Sequence, residues 1–111
     1  MKFVAEHVAL EMIRSVRPLV SVIARHDGDL ARQIRRAATS VASNVSEGNR
    51  RRGKDRTHLF RIAAGSADEV RAQLRCAEAW GHVSARDIAA PLALLDRELG
   101  LLYGLTERPR R

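Results

Sequence analysis

Apolar residues recur every three or four positions through almost the whole chain, and this spacing is the strongest constraint on its fold. The pattern predicts helices at about residues 3–25, 29–47, 55–80 and 84–104. No stretch shows the period-two alternation that is typical of a strand. Short connections make consecutive helices antiparallel. We therefore predict an all-α protein, an antiparallel up-down-up-down four-helix bundle over residues 1–106.

The second predicted helix has two chemically different faces when it is projected at 100° per residue. The apolar face, which we expect in the core, consists of Leu30, Ile34, Ala37, Val41 and Val45. The opposite face carries the three cations Arg32, Arg35 and Arg36.

Residues with capping preferences mark the ends of the middle helices. Asp27 or Asp29 is predicted to accept a hydrogen bond from the first amides of the second helix. Gly48 is predicted to stop that helix. We expect Asp55 to be the N-cap of the third helix, with Thr57 as the alternative.

Further signals concern the outer helices. Ser84 followed three residues later by Asp87 resembles a capping box at the start of the fourth helix. Pro18 predicts a kink in the first helix rather than two separate helices, because the apolar spacing continues beyond it. The fourth helix carries more leucine than one bundle seam requires, and we expect this surplus, with Trp80 and Tyr103, to face another subunit.

Two residues are expected to control how closely the second and third helices pack. Asn44 borders the apolar face and is predicted to bond a backbone group of a neighbouring helix. Gly65 lies within the third helix, where glycine costs about 1 kcal/mol relative to alanine. Its presence predicts a close approach of another backbone, with Ser66 beside it.

The chain is strongly basic, with 20 Lys and Arg against 13 Asp and Glu and a net charge of +7. Arginine favours partners that bear phosphate or carboxylate, because its planar guanidinium bonds them in a bidentate manner. The alternative is a genome whose codon usage inflates arginine and alanine without selection for binding. Residues 107–111 form a basic C-terminal tail.

The cations of the second helix and the following loop differ from those elsewhere in the sequence. The three helix arginines have no acid three or four positions after them, whereas Asp68 and Arg71 on the third helix are paired at that spacing. The predicted nucleic-acid-binding residues are Arg32, Arg35, Arg36, Arg50, Arg51, Arg52, Lys54 and Arg56. If the loop folds over the outer face of the second helix, these cations form one patch. Such a patch binds RNA or DNA backbones by charge, with little sequence preference.

No motif supports an enzyme. The four histidines are scattered, and none lies in a metal-binding or catalytic pattern. The single cysteine, Cys76, excludes an internal disulfide. We therefore expect no catalysis, no cofactor and no metal. The absence of a signal peptide and of a long apolar run predicts a cytoplasmic protein without a membrane anchor.

The central segment resembles the four-helix-bundle proteins encoded in intervening sequences of bacterial 23S ribosomal RNA. The arginine pair Arg35-Arg36 precedes Ser43-Asn44-Val45-Ser46-Glu47-Gly48, as in that family. The third helix adds Phe60, then Ala63-Ala64-Gly65-Ser66, and then Glu69. The sequence departs from the family at Val45 and Ser46, which replace isoleucine and alanine, and it lacks the proline that is common before the second helix.

The resemblance implies an antiparallel bundle that assembles as a ring, most often a homopentamer, with no established enzymatic activity. It also implies kinship with the accessory protein of diversity-generating retroelements, which binds nucleic acid and a reverse transcriptase.

Two alternatives to nucleic-acid binding remain open at this stage. In the first, the chain is a protein–protein scaffold, and Arg35 and Arg36 pair with carboxylates such as Glu47 across a subunit boundary. In the second, it is a passenger protein of the intervening sequence with no partner beyond itself.

Overall fold

The computed structural model describes residues 2–107 and contains four helices. They are α1 (Val4–Ala24), α2 (Gly28–Asn49), α3 (Gly53–Ala79) and α4 (Ala85–Thr106). The described residues contain no strand, which confirms the predicted all-α class. Of the predicted basic tail, residues 108–111 lie outside the described residues.

The four helices are arranged as the corners of a square, and each packs against the two helices next to it. α1 contacts α2 and α4, while α3 contacts the same two helices from the other side. The antiparallel direction of α3 and α4 is visible in their ion pairs: Arg71 bonds Asp96, and Arg61, ten residues earlier, bonds Glu107. The predicted up-down-up-down bundle is therefore confirmed, and it measures 48 × 23 × 20 Å.

The core divides into two groups of buried residues. The large core cluster extends through all four helices and includes Met12, Ile34 and Leu74, each with no exposed area. The small core cluster lies where α1 begins and α4 ends, and consists of Ala5, Val45, Phe60, Ala63 and Leu102. On α2, four of the five predicted core residues are buried, and Leu30 is half-buried at the edge of the large cluster.

Two predicted caps are present. The Asp27 side chain accepts a 3.0 Å hydrogen bond from the Leu30 amide at the start of α2. At the start of α4, the Ser84 and Asp87 side chains each accept from the other's backbone amide, as a capping box requires. α1 runs unbroken through Pro18, and so two separate helices are excluded there.

The junction between α2 and α3 differs from the prediction. Gly48 does not stop α2, which continues to Asn49. Neither Asp55 nor Thr57 caps α3, because this helix begins two residues before Asp55, at Gly53. Gly53 has a φ of +59°, and this left-handed conformation, which glycine adopts readily, turns the chain sharply into α3.

Candidate nucleic-acid interface

The outer face of α2 carries the first set of predicted binding residues, here called the α2 group: Arg32, Arg35 and Arg36. Because α2 buries Ile34 and Val41, the side chains that project in the opposite direction face solvent. Arg32 and Arg36 project in this direction, and Arg50 projects there at the far end of the helix. All three are exposed, as predicted for a binding surface.

The second set, the turn group, lies at the C-terminal end of α2: Arg50, Arg51, Arg52, Lys54 and Arg56. Only residues 50–52 connect α2 to α3. So short a connection cannot fold back over the outer face of α2, and the prediction of one continuous patch is wrong. With a rise of 1.5 Å per residue, Arg36 and Arg50 begin about 21 Å apart along the helix. The candidate interface therefore consists of two separate cationic groups, one on the outer face of α2 and one at its C-terminal end.

The adjacent pair Arg35 and Arg36 diverges around α2. Arg35 lines a cavity between α1 and α2, which it shares with Arg17. Arg36 lines the groove between α2 and α3, where Ser66 and Glu69 form the other wall. Within residues 2–107 neither arginine forms an ion pair, as the sequence predicts for them.

Other predicted cations are paired. Arg51 bonds the Glu47 carboxylate at 2.6 Å, and Arg50 reaches the same carboxylate at 3.4 Å. Arg32 pairs with Asp29, which precedes it by three residues, at 3.5 Å. In each of these pairs the acid precedes its arginine by three or four residues, a spacing that the sequence itself contains. The hydrogen bond and the charge of Arg51 hold the pKa of Glu47 below its ordinary value.

These pairs are exposed and therefore weak. The arginine side chains of the Glu47 pairs retain about half or more of their accessible area, 49% for Arg51 and 68% for Arg50. Surface ion pairs contribute only about 0–1 kcal/mol. An arginine in such a pair exchanges its carboxylate for a phosphate at low cost. Within the described range Arg52 and Lys54 form no ion pair at all and are exposed.

Arg56 belongs to the scaffold rather than to the free surface. Its guanidinium donates to the backbone carbonyls of Gly48 and Asn49, each at 3.4 Å, and so satisfies acceptors at the end of α2. It also lies 4.7 Å from the centre of the Phe60 ring and 5.9 Å from that of Phe3. These contacts fix Arg56 in place, and we remove it from the binding residues.

The polar residues of the signature segment join α2 to α3 differently from the prediction. Asn44 donates to the carbonyl and to the hydroxyl of Ser40, at 2.9 and 3.0 Å, within its own helix. The expected bond from Asn44 to a neighbouring helix is therefore wrong. Ser40 makes the link instead, because its hydroxyl shares a 2.8 Å hydrogen bond with the hydroxyl of Ser66 on α3.

The close approach between helices occurs at a different glycine from the one that the sequence predicts. Gly65 is exposed, and a Cβ placed on it would meet no atom within 4 Å, so the predicted close approach at Gly65 is wrong. Gly48 is buried, and a Cβ there would lie 2.6 Å from Cε1 of Phe60. The close approach therefore occurs at Gly48, between α2 and an aromatic ring of α3.

The sequence analysis missed one buried acid. Glu98 has no exposed area, and neither carboxylate oxygen has a hydrogen-bond partner among the described residues. It lies on α4 between Leu95 of the large core cluster and Leu102 of the small one. Burial raises its pKa to about 8. Glu98 follows Leu95 by three residues and precedes Leu102 by four, and this spacing places it on the buried face of α4. The sequence therefore contained an indication that Glu98 is buried.

The structure also brings together two histidines that the sequence left scattered. His26, after α1, and His82, after α3, stack with ring centres 5.0 Å apart and planes 2° from parallel. No cluster of three or more potential metal ligands occurs among residues 2–107. In the same range no helix is long and apolar enough to cross a membrane.

The fold and this surface define a class: a short antiparallel four-helix bundle whose second helix presents arginines at both ends. The model of the 23S rRNA-intervening sequence protein family matches residues 5–104. The chain therefore belongs to that family, as the resemblance of its central segment predicted. No curated protein matches the sequence at a significant level.

A solved structure supports the fold. It is a protein of unknown function from the S23 ribosomal protein family of Bacteroides thetaiotaomicron. The two chains superpose with a TM-score of 0.81 over 91% of this chain and 96% of the other, at 17% sequence identity. At that identity the similarity extends to the architecture alone.

Proposed function

We propose that this protein is a non-catalytic nucleic-acid-binding protein that holds a phosphate backbone along the outer face of α2. The observation that carries the proposal is that Arg32 and Arg36 lie near one end of an exposed face of α2 and Arg50 lies at its other end, where the rest of the turn group follows. The carboxylates nearest to them are exposed and exchangeable. A nucleic-acid strand that lies along α2 contacts cations at both ends of this face.

The expected binding mode follows from the residues on this face. Between the two groups α2 presents the small, exposed polar side chains of Thr39 and Ser43, which contact phosphate or sugar oxygens without reading bases. No aromatic side chain lies among these residues, which argues against base stacking. Binding therefore depends on counterion release and weakens as the salt concentration rises.

We expect the largest contributions from Arg36 and Arg52, which form no ion pair within residues 2–107 and represent both groups. Arg51 adds to them because its ion pair with Glu47 is exposed and exchangeable. Arg32 lies at the N-terminal end of the face and pairs with Asp29, so we expect a smaller contribution from it.

The test measures the anisotropy of fluorescein-labelled oligouridine, with the corresponding DNA as a second probe, over a series of salt concentrations. In the test variant Arg36, Arg51 and Arg52 are changed to alanine. In the control variant the exposed arginines Arg25, Arg75 and Arg86 are changed, which gives the same net charge. The test variant is expected to bind weakly, with a salt slope that falls by about 0.7 for each lost contact to a single strand. Equal affinity in the two variants contradicts the proposal.

We also propose that the protein self-associates, which would make it an adaptor with a multivalent nucleic-acid surface. Trp80 is 75% exposed and Tyr103 is 68% exposed, and large apolar side chains in such positions favour protein contacts. They lie near opposite ends of α4, so they provide two separate contact points. A homopentamer and a reverse-transcriptase partner remain predictions.

Native mass spectrometry with and without nuclease tests self-association together with co-purifying nucleic acid. A monomer at micromolar concentration contradicts the proposed assembly but leaves the RNA-binding test intact. A change in oligomer mass on substitution of Arg35 or Arg36, without an effect on RNA binding, favours the scaffold alternative instead.

A further inference from the structure

A cavity lies between α1 and α2, and of the residues that line it only Arg35 and Thr39 have a role in the proposed nucleic-acid binding. It has a volume of about 310 Å³, and its aliphatic lining comes from Ile13, Val16, Val20 and Ala38. Arg17 on α1 and Arg35 on α2 contribute the cationic side chains. The hydroxyls of Ser21 and Thr39 complete the lining. No acidic residue lines the cavity.

The positive charges of this cavity have no acidic partner within residues 2–107. In the part of the chain that the structure describes, neither Arg17 nor Arg35 forms an ion pair, although Arg14 and Arg32 nearby are both paired. Both cations are exposed, while Val16 and Ala38 beneath them are buried. A ligand that fits must therefore supply negative charge at the rim and apolar groups at the floor.

A nucleic-acid strand meets only half of this requirement. Its phosphates suit the arginines, but its phosphate and sugar groups are polar and do not cover the aliphatic floor of the cavity. An amphipathic protein segment meets both requirements, because aliphatic side chains one helical turn apart fill an apolar groove while acidic neighbours reach the rim. The lining of α1 extends from Ile13 to Ser21, about 12 Å or two helical turns, which suits such a segment.

We propose that the α1–α2 cavity is a docking site for an acidic amphipathic segment of a protein partner, whose aliphatic side chains enter the cavity while its carboxylates pair with Arg17 and Arg35. This site overlaps the proposed RNA surface only at Arg35 and Thr39, since Arg17 belongs to neither cationic group.

The probe is a fluorescein-labelled alanine-rich helical peptide with two leucines four residues apart and glutamates flanking them on the same face. One control peptide replaces the glutamates with glutamine, and a second replaces the leucines with serine. Anisotropy is measured with the full chain. Only the first peptide is expected to bind measurably. Equal binding of the glutamine peptide, or no binding of any peptide, overturns the proposal.

Three protein variants locate the site. Arg17→Glu is expected to weaken peptide binding by about tenfold, because it replaces an attraction at the rim by a repulsion. Ser21→Glu is expected to do the same, since the new carboxylate lies one helical turn from Arg17 and forms an ion pair with its guanidinium. The matched control is Arg75→Glu on the exposed side of α3, which should bind the peptide as the unmodified protein does.

The same variants separate this proposal from the nucleic-acid function. Arg17→Glu should leave oligouridine binding within about twofold, whereas Arg52→Glu should weaken oligouridine binding and leave the peptide unaffected. If Arg17→Glu weakens oligouridine and peptide binding equally, the cavity belongs to the nucleic-acid surface and the docking proposal is wrong. If Arg17→Glu instead changes the oligomer mass and no peptide binds, a second copy of the chain occupies the cavity, which also overturns it.

Discussion

The ring of Phe60 packs directly on the backbone of Gly48, so that a Cβ at Gly48 would lie 2.6 and 2.8 Å from two ring atoms. Phe60 is 1% exposed and is held among Val45, Ala63 and Leu102 in the small core cluster. A rigid ring in such surroundings cannot move away cheaply. Gly48 therefore sets the distance between α2 and α3 at this end of the bundle.

Gly48→Ala is expected to lower the free energy of unfolding by about 1–3 kcal/mol through overpacking, although alanine is the better helix former. Gly65→Ala is the matched control. It also lies within a helix, but its Cβ would meet nothing within 4 Å, so it should raise stability by about 0.5–1 kcal/mol. Urea unfolding of both variants at one protein concentration measures the difference. A shift in the same direction for both would contradict the assigned role of Gly48.

Glu98→Met is expected to stabilise the protein, with a gain that depends on pH. The folded state holds the proton of Glu98 up to a pKa of about 8, whereas the unfolded chain releases it near 4.5. The buried acid therefore destabilises the fold increasingly as pH rises through this window, by at most about 1.4 kcal/mol per pH unit. The gain from Glu98→Met should be small near pH 4.5, grow with pH and level off above pH 8.

The measurement is chemical unfolding at several pH values across that window. Glu78→Met, at an exposed position on α3 that forms no ion pair within residues 2–107, serves as the control and should show no such trend. A gain for Glu98→Met that is equal at pH 5 and pH 8 would show that Glu98 titrates normally in the folded protein.

Glu47→Gln is expected to strengthen binding of oligouridine. The Glu47 carboxylate accepts hydrogen bonds from Arg50 and Arg51, and its removal frees both cations for phosphate. Since exposed pairs are worth up to about 1 kcal/mol, the affinity should rise by about twofold to fivefold. Asp68→Asn makes the same change of net charge beside Arg71, away from the proposed interface. An equal effect of the two substitutions would mean that only overall charge matters.

Arg56→Lys is expected to lower the free energy of unfolding by about 1 kcal/mol while RNA binding remains unchanged. Lysine keeps the charge but loses the planar contact with Phe60 and the two hydrogen bonds to the end of α2. Arg52→Lys, at an exposed residue that forms no ion pair among residues 2–107, should leave stability within about 0.5 kcal/mol. Comparison of thermal unfolding and RNA anisotropy for both variants separates the structural role from the binding role. Equal stability of the two variants would return Arg56 to the binding surface.

Much of the candidate interface, including its local ion pairs, could be predicted from the sequence, but its contacts between elements far apart in the chain could not. The exposure of Arg35 and Arg36 follows from the buried positions of Ile34 and Val41, because one helix repeat fixes both faces. The pairing of Arg51 with Glu47 is also a local contact, since the two residues are four positions apart. By contrast, the contact of Arg56 on α3 with Phe3, the residue before α1, joins distant parts of the chain, and no local pattern indicates it.

The sequence by itself determined the family, the four helices and the faces that they bury, because helical periodicity and capping are local properties that each segment carries alone. Only the tertiary structure decided which glycine admits a close neighbour, since the answer depends on where Phe60 of α3 meets α2. In the same way it placed Arg35 beside α1 and Arg36 beside α3, while both also line an open depression on α2 with Thr39 and Ser43. It also showed that Glu98, which helical spacing places on the buried face of α4, has no hydrogen-bond partner there among the described residues.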